Sequence, residues 1–110
     1  MHKSDARDVV IANGGTTSTA IDFKYYNDIG QMALVGIAMP GAVDAETLQV
    51  QFSFDNSTWY TVSGATITHT ASTYFPLNPA EYCCIPRYAR LLLGGAAGAE
   101  RTYKIVMRSV

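Results

Sequence analysis

Thr47-Leu48-Gln49-Val50-Gln51-Phe52-Ser53-Phe54 alternates polar and apolar residues without a break. Successive side chains of a strand point to opposite faces, so a period of two marks a half-buried β-strand. This reading sends Leu48, Val50, Phe52 and Phe54 into a core and leaves Thr47, Gln49, Gln51 and Ser53 outside it. The same rhythm returns over residues 101–108, where Tyr103, Ile105 and Met107 share one side and Thr102, Lys104 and Arg108 the other. Val106 is the one apolar residue on the polar side. Residues 8–12 and 19–23 flank Asn13-Gly14-Gly15, a strong turn signal. Residues 32–38 read as a buried strand ended by Pro40-Gly41, and 59–62 with 65–70 read as a hairpin around Ser63-Gly64. Residues 73–77, 82–85 and 89–93 supply further short strands, the last running into a glycine-rich loop at 94–98.

About eight to ten short strands at this spacing predict an all-β antiparallel sandwich, jelly-roll-like, in one domain. No window holds helical periodicity for more than about a turn. Residues 44–47 and 78–81 can each make one turn, capped by Asp44 or Asn78. A parallel sheet would need crossover helices, and 110 residues filled with strands leave no room for them.

A chain of 110 residues suits a single core that buries roughly two-thirds of the unfolded surface, without help from a disulfide or a metal. Charged residues are only 15% against a globular average of about 25%, while hydrophobic residues reach 48%. The surface is therefore uncharged over large areas, or covered by another subunit. The net charge of −1 and the scatter of the basic residues give no stripe for neutralising phosphates, so no nucleic-acid partner is expected. Residues 1–8 are polar and predict a flexible arm outside a core domain of residues 9–110, with His2, Lys3, Ser4, Asp5 and Arg7 as candidate partner contacts. No apolar run follows a basic head, which reads as a protein made in the host cytoplasm without an export signal. The longest apolar stretch, 32–39, is too short to span a bilayer, and no membrane partner is expected.

Candidate chemistry is sparse. His2 and His69 cannot supply the three or four ligands of a zinc site unless His69 joins Cys83 or Cys84. His69 is also the one plausible base for a hydrolytic triad, and no Gly-x-Ser-x-Gly elbow accompanies it. Its simpler reading is a solvent-facing strand residue. Asn13-Gly14-Gly15-Thr16-Thr17 lacks the lysine and following helix of a phosphate loop. The carboxylates lie at predicted loops, with nothing to select a pair for glycoside hydrolysis. Asp55 is expected to order the turn after Phe54. Asn56-Ser57-Thr58 matches a glycosylation acceptor, idle in a protein that is not exported. Cys83 and Cys84, taken as strand neighbours pointing opposite ways, read as buried free thiols, with a vicinal disulfide as the rarer alternative. The expectation is a non-enzyme with no cofactor and no metal. Tyr25, Tyr26, Trp59 and Tyr60 form a candidate carbohydrate platform, against the commoner role of Trp59 or Tyr60 as a core plug after a hairpin turn.

Two stretches resemble known families. Gln51-Phe52-Ser53-Phe54-Asp55-Asn56-Ser57-Thr58-Trp59-Tyr60-Thr61-Val62 and Ile85-Pro86-Arg87-Tyr88-Ala89-Arg90-Leu91-Leu92-Leu93 resemble the strand–turn–strand and late Arg-bearing strand of discoidin-like, galactose-binding-like sandwiches. Asn56 stands where glycine is common there, and no binding residues carry over. Over most of the chain, the polar opening, Thr17-Ser18-Thr19-Ala20-Ile21-Asp22-Phe23 and Leu34-Val35-Gly36-Ile37-Ala38-Met39-Pro40-Gly41-Ala42 resemble small tailed-phage virion proteins. That resemblance implies a capsid decoration (cement) protein binding the major capsid protein, located in the virion and forming a homo-oligomer. Tail or fibre-base placement is its alternative.

Overall fold

In the computed structural model, which describes residues 4–24, 32–64 and 66–109, the alternating stretch becomes an inner strand of a four-stranded sheet. The strands are β1 (Ser4–Ile11), β2 (Ile21–Asp22), β3 (Met32–Ala38), β4 (Leu48–Ser53), β5 (Tyr60–Thr61), β6 (Tyr74–Pro76), β7 (Tyr88–Leu93) and β8 (Arg101–Ser109). One sheet has the order β1-β8-β3-β6 and the other β2-β7-β4-β5, with every pair antiparallel. The hairpin β4–β5 lies innermost in sequence, and the pairs β3–β6, β2–β7 and β1–β8 are nested around it, alternately in the two sheets. This is the eight-stranded jelly roll expected from the strand spacing.

The two inner faces meet in one core. Leu48 and Val50 of β4 lie opposite Leu93 and Leu91 of β7, and all four are buried. From the other sheet come Tyr103, Ile105 and Met107 of β8, each fully buried as the alternation predicts. Strand β3 needs a special arrangement. Leu34 pairs with Met107 and Gly36 with Val106, so Val35 is an extra residue forming a β-bulge. The bulge resets the pleat, and Met32 and Leu34 before it share the core with Ile37 after it. Pro76 sits in β6, an edge strand, where a missing amide donor is tolerated.

Several expectations are corrected. The first strand starts at Ser4, not after an arm ending near residue 8. Ser4, Asp5, Ala6, Arg7 and Asp8 are exposed, yet each is registered against β8, and the Asp8 carboxylate meets Lys104 at 2.8 Å. An edge strand needs only one neighbour to satisfy half of its backbone groups, so exposure of its side chains did not make it an arm. Candidate arm residues His2 and Lys3 lie outside the described residues. The segments around Asn13-Gly14-Gly15 do not close into a hairpin. The turn forms, with Gly15 N–H donating to Ala12 O at 2.8 Å and Gly14 at φ 81°, but β1 and β2 belong to different sheets, and the segments are joined by an Ile11–Ser18 bridge and by Val10–Thr19 hydrogen bonds. Among the described residues the hairpin expected around Ser63-Gly64 is also absent: residues 66–70 form no strand, and Tyr60 and Thr61 pair back onto β4 instead. Residues 82–85 form no strand. They continue a turn in which Asn78 Oδ1 accepts from Ala80 N–H and Asn78 O from Glu81 N–H, the single capped turn expected there. At the other candidate turn Asp44 caps nothing; its carboxylate holds Arg101 and the Gly98 amide.

Candidate functional site

The connection between β4 and β5 is where the chain departs most from a simple strand pattern. Ser53, expected to face solvent, is fully buried. Its hydroxyl accepts from the amides of Asn56 at 2.9 Å and Asp55 at 3.3 Å, and donates to Thr58 O at 2.6 Å. Asp55 orders the same turn, as its residue type suggested. Its carboxylate takes the amides of Ser57 and Thr58, both at 2.9 Å, and these bonds hold it below the usual carboxylate range, Thr58 contributing most. Asn56 adopts φ 61°, a left-handed conformation that Asn accepts more readily than most residues. Two side chains thus hold the four amides of residues 55–58 and the Thr58 carbonyl.

A turn pinned this way fixes where its flanking aromatics go. Phe54 does not join the core; it is 72% exposed. Tyr60, opposite Phe52 on the edge strand, is 59% exposed. The two rings meet edge to face, with centroids 6.5 Å apart and planes at 81°. Trp59 is half-buried and outside the core cluster, so it is not a core plug. It packs against the outer face of the sheet, where the Arg90 guanidinium carbon lies 4.0 Å from its ring centre. Arg90 Nε donates to Gln51 Oε1 at 2.9 Å, and Gln51 Nε2 donates to Thr61 Oγ1 at 3.2 Å. These contacts cover Gln51, which alternation alone had left outside. The hairpin thus brings Trp59 and Tyr60 of the candidate platform together with Phe54 and Arg90, two residues not proposed from sequence. Arg90 was legible only as a strand residue. Tyr25 and Tyr26 fall outside the described residues.

Beside this hairpin, where β5 stops covering β4, lies a groove of about 210 Å³ lined by Leu48, Val50, Val62, Ile67 and Tyr82. Elsewhere, His69 is not a solvent-facing strand residue. Its Nδ1 is 2.8 Å from Glu46 O, so Nδ1–H donates, and its Nε2 lies 2.7 Å from the hydroxyl of buried Tyr103. Burial, with Asp44 nearby, pushes the Tyr103 phenol up to about 12, so it stays a protonated partner. With both ring nitrogens engaged, His69 clamps a loop to β8. Among the described residues no three of His, Cys, Asp and Glu converge on a metal-sized space.

No protein-family model and no curated protein matches the sequence. Solved structures are similar to it in fold. The SPBc2 prophage-derived protein YomS aligns at TM-score 0.56 over 97% of this chain and 96% of its own, at 9% identity. The core of Drosophila NLP, a structure concerned with pentamer formation and histone binding, aligns at 0.50 over 98% and 97%, at 12% identity. A chitosan-binding module from a Paenibacillus sp. IK-5 chitosanase/glucanase gives 0.48 over 94% and 75%, at 15% identity. The first two share with this chain an architecture of the same extent; at such identities the likeness is one of fold.

Proposed function

We propose that this chain is a non-enzymatic structural protein of a tailed-phage virion, most specifically a capsid decoration protein that packs on the major capsid protein and on copies of itself. The observation that carries the reading is the β4–β5 hairpin. Phe54 and Tyr60 stand in water on a turn whose amides at residues 55–58 are held by the Ser53 and Asp55 side chains. Rigid exposed aromatics are what a protein interface uses as anchors, because few rotamers are lost when a partner covers them. The extent of the fold likeness to a prophage-derived protein supports a phage setting, and the low content of charged residues suits a surface that neighbours cover.

Particles of the phage encoding this chain test the reading. Hundreds of copies per particle support decoration; a handful support a tail or fibre-base position. A Phe54→Ala/Tyr60→Ala double variant is expected to keep its fold, since both rings are exposed, and to bind particles at least about tenfold more weakly, the change given by ~1.4 kcal/mol of lost contact. Undiminished occupancy rejects the hairpin as the contact.

A second reading, a carbohydrate-binding module, draws on one feature. Trp59 is part-exposed and is followed in the chain by the exposed Tyr60 and Thr61, the pairing of ring face and polar groups that sugars use. A glycan array probed with the native chain and with Trp59→Ala separates the readings: binding lost with Trp59 favours the sugar, and no binding by either favours the virion role.

A further inference from the structure

Cys83 and Cys84 are not buried strand neighbours with opposed side chains. They lie in the turn before β7, and Cys84 adopts φ 59°. That left-handed backbone swings its side chain to the side of its neighbour, and the two Sγ atoms are 3.6 Å apart. Cys83 is half-buried, with Sγ 3.6 Å from Ala80 O, while Cys84 is exposed. The turn is tethered at both ends. Tyr82 O accepts the Leu34 amide at 3.0 Å, and Ile85 is buried in the core. A non-glycine residue held in this conformation, with two thiols converging at the surface, is an unusual local arrangement.

We propose that Cys83 and Cys84 form a redox-active vicinal dithiol, which closes to a disulfide by exchange with a small-molecule disulfide such as oxidised glutathione. The exposed Cys84 thiolate attacks one sulfur of the oxidant, forming a mixed disulfide and releasing one thiolate. Cys83 then attacks Cys84 Sγ as a thiolate and releases the second. The protein loses two electrons and two protons, and the oxidant leaves as two thiols. The Cα atoms of adjacent residues are held about 3.8 Å apart by a trans peptide, below the usual disulfide range of roughly 4.4–6.8 Å. The closed ring is therefore strained and more readily reduced than a structural disulfide, which makes the site reversible. Hydrogen bonding with Cys83 holds the Cys84 thiol above its ordinary value of 9.0, so closure is slow at neutral pH and quickens as the pH rises.

The test treats the full chain with oxidised glutathione at mildly alkaline pH and follows mass and titratable thiols. The expected product has lost two hydrogens, carries no glutathione and shows no free thiol, and dithiothreitol restores both. Cys83→Ser and Cys84→Ser should each stop as stable adducts carrying one glutathione, with the melting temperature of the native chain unchanged. A native chain that retains glutathione, links to a second chain, or keeps both thiols under conditions that modify the single variants overturns the proposal.

Discussion

Ser53 is a small residue with a large local role. Its side chain is buried and joins three backbone groups that the tight turn would otherwise leave without partners. Removing a hydroxyl while leaving its partners buried costs about 1–3 kcal/mol, more than the mean worth of a single hydrogen bond. Ser53→Ala is expected to lose stability in that range in urea unfolding, with faster amide exchange at Asn56; a loss below about 0.5 kcal/mol would mean that water replaces the hydroxyl. The same residue explains why alternation misled at the end of β4. Period two assigned Ser53 to solvent and Phe54 to the core. The turn instead draws the serine inward to satisfy amides, and Phe54 follows the chain out. Leu48 and Val50, five and three residues before Ser53 and beyond the reach of the turn, obeyed the pattern.

Among the elements, β3 shows how one inserted residue sets a register. Its sequence reads as a buried strand from composition, but nothing in Met32-Ala33-Leu34-Val35-Gly36-Ile37-Ala38 announces which residue bulges. The bulge is decided by β8, whose strict alternation must find apolar partners at both Met107 and Ile105. Deleting Val35 would remove the extra residue and leave Leu34, Gly36 and Ile37 in plain alternation opposite Met107, Val106 and Ile105, with Ile37 still facing the core. What is lost is the Val35 carbonyl, which accepts the Leu77 amide at 3.0 Å, and an amide left without that partner costs about 1–3 kcal/mol. The deletion variant is expected to fold and to melt cooperatively, less stable by that amount in urea unfolding; a chain that is unfolded when expressed would show that β3 needs the bulge to seat β6. Strand β1 is the converse case. Its exposed polar side chains gave no apolar signal over residues 4–8, so pairing with β8 was invisible from composition. Edge strands are recognised by their neighbours more than by their own residues.

At the scale of the molecule, carboxylates tie distant segments together. Asp44 joins the loop before β4 to Arg101 at the start of β8, Asp22 of β2 meets Arg87 just before β7, and Asp55 holds the hairpin turn. The Arg101 side chain lowers Asp44, the Arg87 side chain lowers Asp22, and backbone amides lower Asp55, all from an ordinary value of 3.8. Because these groups ionise more readily when folded, the unfolded chain binds more protons on acidification. Their stabilisation is complete above about pH 4 to 5 and is lost as the pH falls below 3.8 toward the folded values. The melting temperature should therefore be flat from neutral pH to mild acid and fall below that range. Asp44→Asn should start lower and show a shallower fall, and added salt should weaken the exposed Asp22–Arg87 contribution most. A melting temperature that rises below pH 4 would contradict this account.

The sequence by itself determined the fold class and the inner faces of β8 and of β4 as far as Val50, because side-chain alternation is a local property of a strand that one buried face enforces. It also pointed to Asp55 as a turn residue, since that role depends on amides only two and three positions away. Only the tertiary structure decided the jelly-roll nesting, the bulge at Val35, the pairing of β1, the His69–Tyr103 clamp and the gathering of Phe54, Trp59, Tyr60 and Arg90 at one hairpin. Each of those depends on which strand lies beside which, and that is settled by the joint burial of the two sheets and by no single stretch of chain.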